Sequence, residues 1–475
     1  MKKSRYTIFF ESKKNGWLLF NSVSRAFLKV KDEEAEAVKA ILDDPEGYDY
    51  SATPLLYIQL RSLGFLVEEG RDDDFFNVQK MRNLTSLYGD RTLSLTIAIT
   101  RACNFDCSYC FEGNRTGKPM SPEVEDALIR FIKSYGSDRL SIVWYGGEPL
   151  LAFDRILSID RRIREMGKTY SASMITNGYL MTKERAAKLK ELNISYLQIT
   201  LDGGEATHNS RRYLKNGGPT YATILENIDN VMGSDFNGTL HIRVNVDRRN
   251  EKEFVDVYRY IAKKYPNDMG RRITVYPGFV KGDDHPDCSC FFDAVQQGEF
   301  LTRMYNEYGI APLNIFPTRQ SQQCVLTKHN AFVVGPDGEL YKCWDDVGLK
   351  DKIVGDLGCQ GNWNMPLIAE GMVACSYLDD PECKECFYFP ICNGGCHRIR
   401  QKNLHNSVKH SPCTYFKGNI ETLLEACYES AKKRAAAIQA SNADTQTGPA
   451  VQQVTAAEAK TVSETGTQPE AGIQA

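Results

Sequence analysis

The sequence predicts an α/β protein built from parallel βα units. Strand-like apolar runs alternate with amphipathic helical stretches through the middle of the 475-residue chain, and this alternation is typical of parallel sheets with crossover helices. Most of the runs end in cysteine, glycine or polar residues, and the active site of a βα barrel lies at the carboxyl ends of its strands. The expected strands lie at about 93–100, 140–145, 171–176, 195–201, 239–246 and 272–276.

The loop after the first of these strands carries three cysteines. Cys103, Cys107 and Cys110 form a Cys-x3-Cys-x2-Cys run, and a helical pattern follows from Pro122 to Tyr135. Three closely spaced thiolates can hold three irons of a [4Fe–4S] cluster and leave the fourth iron open to a small molecule. The run therefore indicates a cluster that does chemistry rather than one that only supports the fold.

The second strand ends in Gly146-Gly147-Glu148. The two glycines expose backbone groups, and the Glu148 carboxylate can accept a hydrogen bond from an ammonium group. With the cysteine run before it, the chain resembles the radical S-adenosylmethionine enzymes. The resemblance implies a partial (β/α)6 TIM-like barrel in which the amino and carboxylate groups of S-adenosylmethionine chelate the open iron. It also implies that the Gly-Gly-Glu segment holds the amino group.

The same resemblance implies further contacts to S-adenosylmethionine. Tyr109 is the aromatic residue that the family usually places before the third cysteine. Thr176 and Asn177 are expected near the ribose, and Asp202 lies at the next strand end. Asn245 ends the fifth strand.

Three arginines, Arg211, Arg212 and Arg243, could reach a carboxylate or a phosphate from these strand ends. Each of them also fits a surface ion pair. The candidate cofactor-binding residues are Tyr109, Gly146, Gly147, Glu148, Thr176, Asn177, Asp202, Arg212 and Asn245.

A second group of cysteines lies toward the C-terminus. Its members are Cys324, Cys343 in Gly338-x4-Cys343, Cys383-x2-Cys386-x5-Cys392-x3-Cys396, and Cys413. Spacing this dense indicates metal, and structural zinc is one alternative because Cys-x2-Cys knuckles commonly bind it. The seven positions match the SPASM extension of radical S-adenosylmethionine enzymes, which carries auxiliary iron–sulfur clusters.

The resemblance to SPASM proteins implies two auxiliary [4Fe–4S] clusters. The distal one would be held by Cys383, Cys386, Cys392 and Cys413, and the near one by Cys324, Cys343 and Cys396. The near cluster needs a fourth ligand, which is either substrate or one of Cys288, Cys290, Cys359 and Cys375. Each of these four also fits a free or packed thiol, and Cys427 is expected to be a small core residue.

The first seventy residues carry no metal motif. Two short apolar strands at 6–10 and 16–20 indicate a hairpin, followed by helices at 32–42 and 55–63 and a strand at 65–69. This layout resembles the winged-helix peptide-recognition domains that accompany radical S-adenosylmethionine peptide maturases. A plain N-terminal cap on the barrel is the alternative. If the region binds peptide, strand addition to an exposed hairpin edge is the expected mode.

Composition limits the remaining possibilities. The net charge of −3 argues against extended nucleic-acid binding. No long apolar window or signal peptide is present, and the 15 cysteines suit a reducing compartment, so we expect a cytoplasmic protein without a membrane partner. Residues 68–74 are interpreted as a solvated linker. The expected divisions are a recognition module at 1–75, the barrel at 88–310, the SPASM domain at 311–434 and a disordered tail at 435–475.

We expect a peptide maturase that abstracts hydrogen from a ribosomally made precursor peptide through a 5′-deoxyadenosyl radical. It would form a thioether or a carbon crosslink, and its partners would be the precursor peptide and an external electron donor such as flavodoxin or ferredoxin. Asp345 is a candidate proton acceptor, and Asp346 and Tyr341 are expected to line the cavity near Cys343.

Two other functions remain open. The first is an anaerobic sulfatase maturase, which forms formylglycine. Those enzymes tend to place an aspartate directly after the Gly-x4-Cys cysteine, where this chain has Trp344, and they generally lack the N-terminal module. The second is a non-enzymatic zinc-binding adaptor, which the open three-cysteine run disfavours.

Overall fold

The computed structural model describes residues 1–89, 91–110, 112, 117–280, 290–310, 316–318, 324–358 and 361–443. The predictions for Cys288, for Cys359 and for the tail beyond residue 443 lie outside these ranges.

The N-terminal region contains the predicted hairpin and both predicted helices. Its elements are β1 (Lys2–Lys3), β2 (Thr7–Ser12), β3 (Gly16–Asn21), β4 (Phe27–Lys29), α1 (Asp32–Asp43), α2 (Pro54–Ser62) and β5 (Leu66–Val67). Strands β2, β3 and β4 form an antiparallel sheet, and β1 pairs with β5. Leu19, Val38 and Ile41 are buried between this sheet and α1, so the region has a small apolar core of its own.

The acidic stretch at 68–74 is not a linker along its whole length. Helix α3 (Arg71–Tyr88) begins inside it, with three aspartates in the first turn, where negative charge is favourable. Asp72 accepts hydrogen bonds from the Ser4 hydroxyl at 2.9 Å and from the Arg5 backbone N–H at 2.7 Å. These partners lie almost seventy residues away in the chain, so the charge run by itself does not reveal them.

Six parallel strands form the barrel, as predicted. In chain order the elements are β6 (Thr92–Ala98), α4 (Pro122–Ser134), β7 (Arg139–Tyr145), α5 (Phe153–Arg164), β8 (Thr169–Thr176), α6 (Lys183–Ala186), β9 (Ile194–Leu201), α7 (Glu205–Arg211), α8 (Tyr221–Met232), β10 (Thr239–Val246), α9 (Glu253–Lys264), β11 (Ile273–Phe279) and α10 (Ala294–Tyr308). Neighbouring strands pair in sequence order from β6 to β11. Their carboxyl ends therefore meet at one edge.

The C-terminal region continues the same sheet. Its elements are β12 (Ala331–Val334), β13 (Glu339–Tyr341), β14 (Gly355–Asp356), α11 (Met365–Ala369), α12 (Pro381–Lys384), α13 (Phe389–Cys392), α14 (His397–His405) and α15 (Ile420–Ala443). Strand β12 lies parallel to β6, with Val334 opposite Ile97, and β13 and β14 add antiparallel strands beyond it. The strand that leads into Cys343 is thereby fixed relative to the strand that leads into Cys103.

Helix α15 continues to Ala443, whereas disorder was expected from Ala435. The expectation rested on the low aromatic content of the tail. Alanine, however, has the highest helix propensity of the common residues, and the run at 435–437 is all alanine. Low aromatic content is therefore compatible with a helix here.

The N-terminal region packs against the C-terminal cysteine region. Arg5 forms an ion pair with Glu385 at 2.6 Å, and the Ser22 hydroxyl donates to the Phe387 carbonyl at 2.8 Å. An apolar cluster of Tyr6, Phe76, Tyr377, Leu378 and Phe389 fills the junction. Cys383 and Cys386 pack against this cluster. Within the described ranges, no helix is both long and apolar enough to cross a bilayer.

Candidate functional site

The three-cysteine loop lies at the carboxyl end of β6, in an apolar setting. Cys103 and Cys107 are buried and Cys110 is half-buried. The Phe105 backbone N–H donates to Cys103 Sγ at 3.4 Å. Burial raises the pKa of the Cys103 thiol to about 12, and the nearby Glu148 carboxylate acts in the same direction. Bound metal would be needed to keep this sulfur as a thiolate.

The Gly-Gly-Glu segment lies directly against the backbone that leads into Cys103. The Gly147 N–H donates to the Thr100 carbonyl at 3.0 Å, and the Glu148 N–H donates to the Ala102 carbonyl at 2.9 Å. A Cβ atom at Gly147 would lie 2.5 Å from the Ala102 carbonyl oxygen, closer than van der Waals contact allows. Glycine at this position is therefore required by the approach of two backbone segments.

The Glu148 carboxylate joins the ends of β7 and β8. It is fully buried and accepts from the Thr176 hydroxyl at 2.7 Å, the Asn177 backbone N–H at 2.8 Å and the Leu150 backbone N–H at 3.0 Å. Burial raises its pKa, and these hydrogen bonds oppose the shift. Two carboxylate oxygens have about four acceptor positions, so most of the capacity of Glu148 is used within the protein.

Asn177 also lies against the cysteine loop. Its side-chain amide donates to Asn104 Oδ1 at 2.8 Å and lies 3.9 Å from Cys103 Sγ. The structure thus places the two residues expected near the ribose, Thr176 and Asn177, in a single network with Glu148.

Tyr109, Arg212 and Asn245 come together from three different elements. The Tyr109 hydroxyl accepts from Arg212 at 2.7 Å and from the Asn245 amide at 3.0 Å. The Arg211 guanidinium lies over the Tyr109 ring, 5.0 Å from its centroid. Arg212 is only 8% exposed, so the surface ion-pair alternative is wrong for this residue.

Arg211 is half-buried, and it joins two strand ends. It contacts Asp202 at 3.2 Å and Asp247 at 2.9 Å. His208 Nδ1 accepts from the Asp202 backbone N–H at 3.2 Å. Sequence reasoning missed Asp247 and His208, although Asp247 directly follows β10, where a polar residue at a strand end was already the signal used for Asp202.

Three of the four cysteines predicted as distal ligands, Cys386, Cys392 and Cys413, lie near one another, and the Cys386 N–H donates to the carbonyl of the fourth, Cys383, at 3.3 Å. Burial raises the pKa of Cys392, and both Cys413 and Cys386 raise it further. Burial likewise raises the pKa of Cys383 to about 11, and Arg400 opposes the shift. Mutual effects of this kind require the thiols to lie within short electrostatic range.

Two cations lie at this distal group. Arg400 donates to Cys383 Sγ at 3.0 Å and pairs with Asp380 at 2.9 Å. Lys417 Nζ lies 3.6 Å from Cys413 Sγ. Sequence reasoning missed both residues, and positive charge beside sulfur stabilises its thiolate form.

The near group includes Cys324 and Cys343. Burial raises the pKa of Cys343, followed by the effects of Asp345, Asp346 and Cys324. Cys396 directly precedes α14, and Arg398 on that helix pairs with Asp346 at 3.2 Å and with Asp345 at 3.6 Å. This ion pair brings the start of α14 to the segment after Cys343.

Lys342, beside Cys343, is buried in the same place. It donates to the Ala331 carbonyl at 2.8 Å and to the Lys328 carbonyl. Burial lowers its pKa to about 7, and Cys324 opposes the shift. Sequence reasoning missed this residue, since a lysine just after a strand gives no sign of burial.

Two of the four candidates for the extra ligand are described. Cys290 and Cys375 are both buried. Burial raises the pKa of Cys375 to about 11, and the Glu370 carboxylate raises it as well. Cys427 is a buried core residue, as expected. Among the described residues, no three His, Cys, Asp or Glu side chains lie close enough to hold one shared metal ion. In a four-iron cluster each cysteine binds a different iron, so its ligands do not have to converge on one metal ion.

The residues after Cys343 differ in their surroundings. Tyr341 is buried and its hydroxyl accepts from the Gly348 N–H at 3.1 Å, so it packs within this segment. The Trp344 ring is stacked on Tyr145, at the end of β7, with centroids 5.7 Å apart. The Asp345 carboxylate is held toward Arg398.

Comparison with known proteins agrees with this geometry. The sequence model that describes the radical SAM superfamily matches residues 97–261 of this chain. A serine-type anaerobic sulfatase-maturating enzyme of Klebsiella pneumoniae is 31% identical over 328 residues, 62% of this chain and 79% of that protein. The radical SAM cyclopropyl synthase TigE of Paramaledivibacter caminithermalis is 20% identical over 473 residues, 89% of this chain and 95% of that protein.

Among solved structures, native anSMEcpe with bound AdoMet has a TM-score of 0.56 at 20% identity, covering 73% of this chain and all of that chain. This likeness shows a shared fold.

The strand order, the cysteine loop and these matches place the chain in the radical SAM superfamily. It is an enzyme that uses S-adenosylmethionine and [4Fe–4S] clusters. More particularly, it is homologous to the SPASM-type anaerobic sulfatase maturases. Membership in this superfamily overturns the alternative of a non-enzymatic zinc adaptor.

Proposed function

We propose that the protein is a peptide maturase that abstracts hydrogen from a ribosomally made precursor peptide and forms a thioether or a carbon crosslink. The observation that carries the proposal is the N-terminal antiparallel sheet, which packs on the auxiliary cysteine region. The alignment with TigE spans 89% of this chain, whereas that with the Klebsiella pneumoniae sulfatase maturase spans 62%. The relative that aligns with nearly the whole of this chain is therefore a cyclopropyl synthase and not a sulfatase maturase.

Strand β4 offers an edge for peptide addition. The Ala26 carbonyl accepts from the Asn21 N–H, and the Val30 N–H donates to the Trp17 carbonyl, so these residues face β3. By the alternation of a strand, Phe27 and Lys29 point their backbone groups away from β3. A leader segment would pair with those groups as an added strand.

The residues at the barrel edge fit the cofactors of the family. We assign the S-adenosylmethionine-binding cluster to Cys103, Cys107 and Cys110, because their loop follows β6 and its start is hydrogen-bonded to the Gly-Gly-Glu segment at the carboxyl end of β7. When bound, the cluster and S-adenosylmethionine supply the 5′-deoxyadenosyl radical. The candidate contacts to S-adenosylmethionine remain those predicted from the sequence.

The protein's own groups orient and enclose this chemistry. Glu148 and Asn177 hold the ends of β7 and β8 against the cysteine loop, and Arg212 holds Tyr109 in place. The burial of these groups keeps water away from a reactive carbon centre, which would otherwise be quenched. In this proposal Asp345 accepts the substrate proton, since it follows Cys343 by two residues and its carboxylate lies 3.6 Å from Arg398.

The auxiliary cysteines are assigned as two ligand sets. Cys383, Cys386, Cys392 and Cys413 would hold the distal cluster, and Cys324, Cys343 and Cys396 the near one. Electrons would come from an external donor such as flavodoxin or ferredoxin. A cytoplasmic location is part of the same proposal.

The test uses a candidate precursor peptide, to be chosen from the short open reading frames that a search beside the gene finds. Proline at Lys29 removes an outward N–H without removing a bond to β3, and edge strands tolerate proline. We expect Lys29→Pro to weaken leader binding about tenfold or more, the equivalent of one or two hydrogen bonds, in a fluorescence-anisotropy titration. Lys29→Ala is the matched control, and both variants should cleave S-adenosylmethionine normally. Equal leader affinity in the two variants would refute binding at this edge.

The role of Asp345 has its own test. Asp345→Asn should abolish product formation while leaving cleavage of S-adenosylmethionine in place, because only the proton acceptor is removed. Mass spectrometry of the peptide and chromatography of 5′-deoxyadenosine measure the two quantities. Full product formation by the variant would rule out the role.

Sulfatase maturation is the second candidate, favoured by the sequence relatives. It predicts formylglycine in a sulfatase-derived peptide that carries the target cysteine or serine. Incubation of the reconstituted enzyme with such a peptide and with the precursor peptide separates the two functions directly.

A further inference from the structure

A contact between the aromatic rings of Tyr145 and Trp344 joins the cysteine loop of the barrel to the auxiliary cysteine region. Tyr145 directly precedes the Gly-Gly-Glu segment, and Trp344 directly follows Cys343. Their rings are stacked, with centroids 5.7 Å apart and planes inclined by 26°. Trp344 stands where sulfatase maturases tend to have an aspartate, so a large aromatic ring replaces a small polar group at this place.

Tyr145 extends the contact to the cysteine loop. It is 8% exposed, and its hydroxyl is hydrogen-bonded to Glu112, two residues after Cys110. The side chains of Asp345 and Cys110 also lie within electrostatic range of the Tyr145 hydroxyl. The ring pair therefore extends from Tyr145, which lies near Cys110, to Trp344, which is the next residue after Cys343.

We propose that the stacked rings of Tyr145 and Trp344 conduct one electron between the near auxiliary cluster at Cys343 and the S-adenosylmethionine-binding cluster at Cys110. The inference rests on the proposed ligand sets, but it does not depend on which peptide is modified. Stacked π systems couple two redox centres better than saturated side chains do, because their orbitals overlap across the contact.

The electron balance is closed. One electron leaves the reduced near cluster, which changes from [4Fe–4S]+ to [4Fe–4S]2+. It arrives at the cluster of the barrel, which changes from [4Fe–4S]2+ to [4Fe–4S]+ and is again able to cleave S-adenosylmethionine. No bond forms or breaks in either aromatic ring, and the two rings end in the state in which they began.

The experiment counts electrons without a peptide substrate. The reconstituted full-length enzyme is reduced, freed of reductant and mixed with S-adenosylmethionine, and 5′-deoxyadenosine per chain is followed together with the electron paramagnetic resonance signals of the clusters. A cluster delivers one electron per reduction, so the barrel cluster alone supports about one equivalent. The wild type should exceed this amount while the auxiliary signal decays.

Two substitutions at one position form the matched pair. Trp344→Leu removes the ring and should stop near one equivalent, with the auxiliary signal persisting. Trp344→Phe keeps a ring and should continue beyond one equivalent, as should Tyr145→Phe, which removes only the hydroxyl. Iron content and affinity for S-adenosylmethionine, measured in every variant, should match the wild type.

Two results would overturn the proposal. One is a Trp344→Leu enzyme that passes one equivalent at the wild-type rate. The other is a Trp344→Phe enzyme that stops where Trp344→Leu stops, which would indicate a packing role. If Trp344→Leu loads less iron than the wild type, Trp344→Met replaces it, since an unbranched side chain adapts to irregular space. Loss of peptide modification with normal electron counts would instead concern the proposed function.

Discussion

The two cysteine regions are built in different ways. The cysteine loop of the barrel is fixed by main-chain hydrogen bonds between the segment at Thr100–Ala102 and the segment at Gly147–Glu148. The auxiliary region has helices of four residues, α12 and α13, around its cysteines. There two of the sulfurs lie beside cations, with Arg400 at 3.0 Å from Cys383 and Lys417 at 3.6 Å from Cys413. We infer that the sheet positions the first site, whereas the second depends more on side-chain charges and on its metal.

One backbone contact in the auxiliary region is as close as those in the barrel. The Cys396 N–H donates to the Pro412 carbonyl at 2.9 Å, and a Cβ at Gly395 would lie 1.8 Å from that carbonyl oxygen. Gly395 also has φ +68°, which favours glycine. This contact brings a predicted near ligand beside the residue preceding Cys413, a predicted distal ligand.

The largest expected effect removes the barrel site and leaves the auxiliary region intact. Replacing Cys103, Cys107 and Cys110 together by alanine should abolish cleavage of S-adenosylmethionine. Iron should fall from about twelve to about eight per chain, since one of three four-iron clusters is lost. Iron and sulfide analysis with chromatography of 5′-deoxyadenosine tests this. Retained cleavage would show that the open cluster lies elsewhere.

A second variant reverses the comparison by disturbing the distal group alone. Arg400→Met removes the cation at Cys383 and leaves Asp380 without its partner. We expect the loss of about four irons per chain with cleavage of S-adenosylmethionine retained. Arg164→Met, which removes an ion pair with Asp160 at 2.7 Å on α5, is the control and should keep its iron. Unchanged iron in Arg400→Met would contradict the dependence on charge.

Acid should weaken the barrel through a buried histidine. Burial lowers the pKa of His208 to about 3, against about 6.5 in an unfolded chain. Below pH 6.5 the unfolded state therefore binds a proton that the folded state does not, and stability falls as the pH falls toward the folded pKa. At pH 5 the loss is about 2 kcal/mol from this residue.

Urea unfolding of the wild type and His208→Asn at pH 7 and pH 5 measures that loss. The variant should lose less stability between the two pH values, although it is less stable at both. His410→Asn, an exposed position, should behave like the wild type. The same pH dependence in His208→Asn as in the wild type would assign the effect to other groups.

The smallest expected effect concerns the junction of the N-terminal region. Arg5→Met removes ion pairs with Glu385 at 2.6 Å and Asp73 at 2.7 Å. Partly exposed pairs contribute about 0.5–1 kcal/mol, so the urea midpoint should fall slightly. Arg61→Met, which removes an exposed pair with Glu68 at 3.1 Å, should have less effect. A larger loss, with loss of iron, would mean that the junction supports the Cys383-x2-Cys386 knuckle.

Sequence alone determined the elements whose signals are local. The six barrel strands follow from apolar runs of strand length, and the hairpin at β2 and β3 follows from two such runs around a polar turn. The cysteine motifs are equally local, because Cys103, Cys107 and Cys110 lie within eight positions of one another. In each case the residues that define the feature are neighbours in the chain.

Tertiary structure alone decided which distant residues meet. Tyr109 bonds to Arg212 and Asn245, and Tyr145 stacks on Trp344, across separations of about a hundred residues or more. No pattern in the chain relates these pairs, because they meet only when parallel strands place their carboxyl ends at one edge and β12 pairs with β6. Sequence therefore determined which chemical groups the protein carries, and the order of strands in the sheet decided which of them act together.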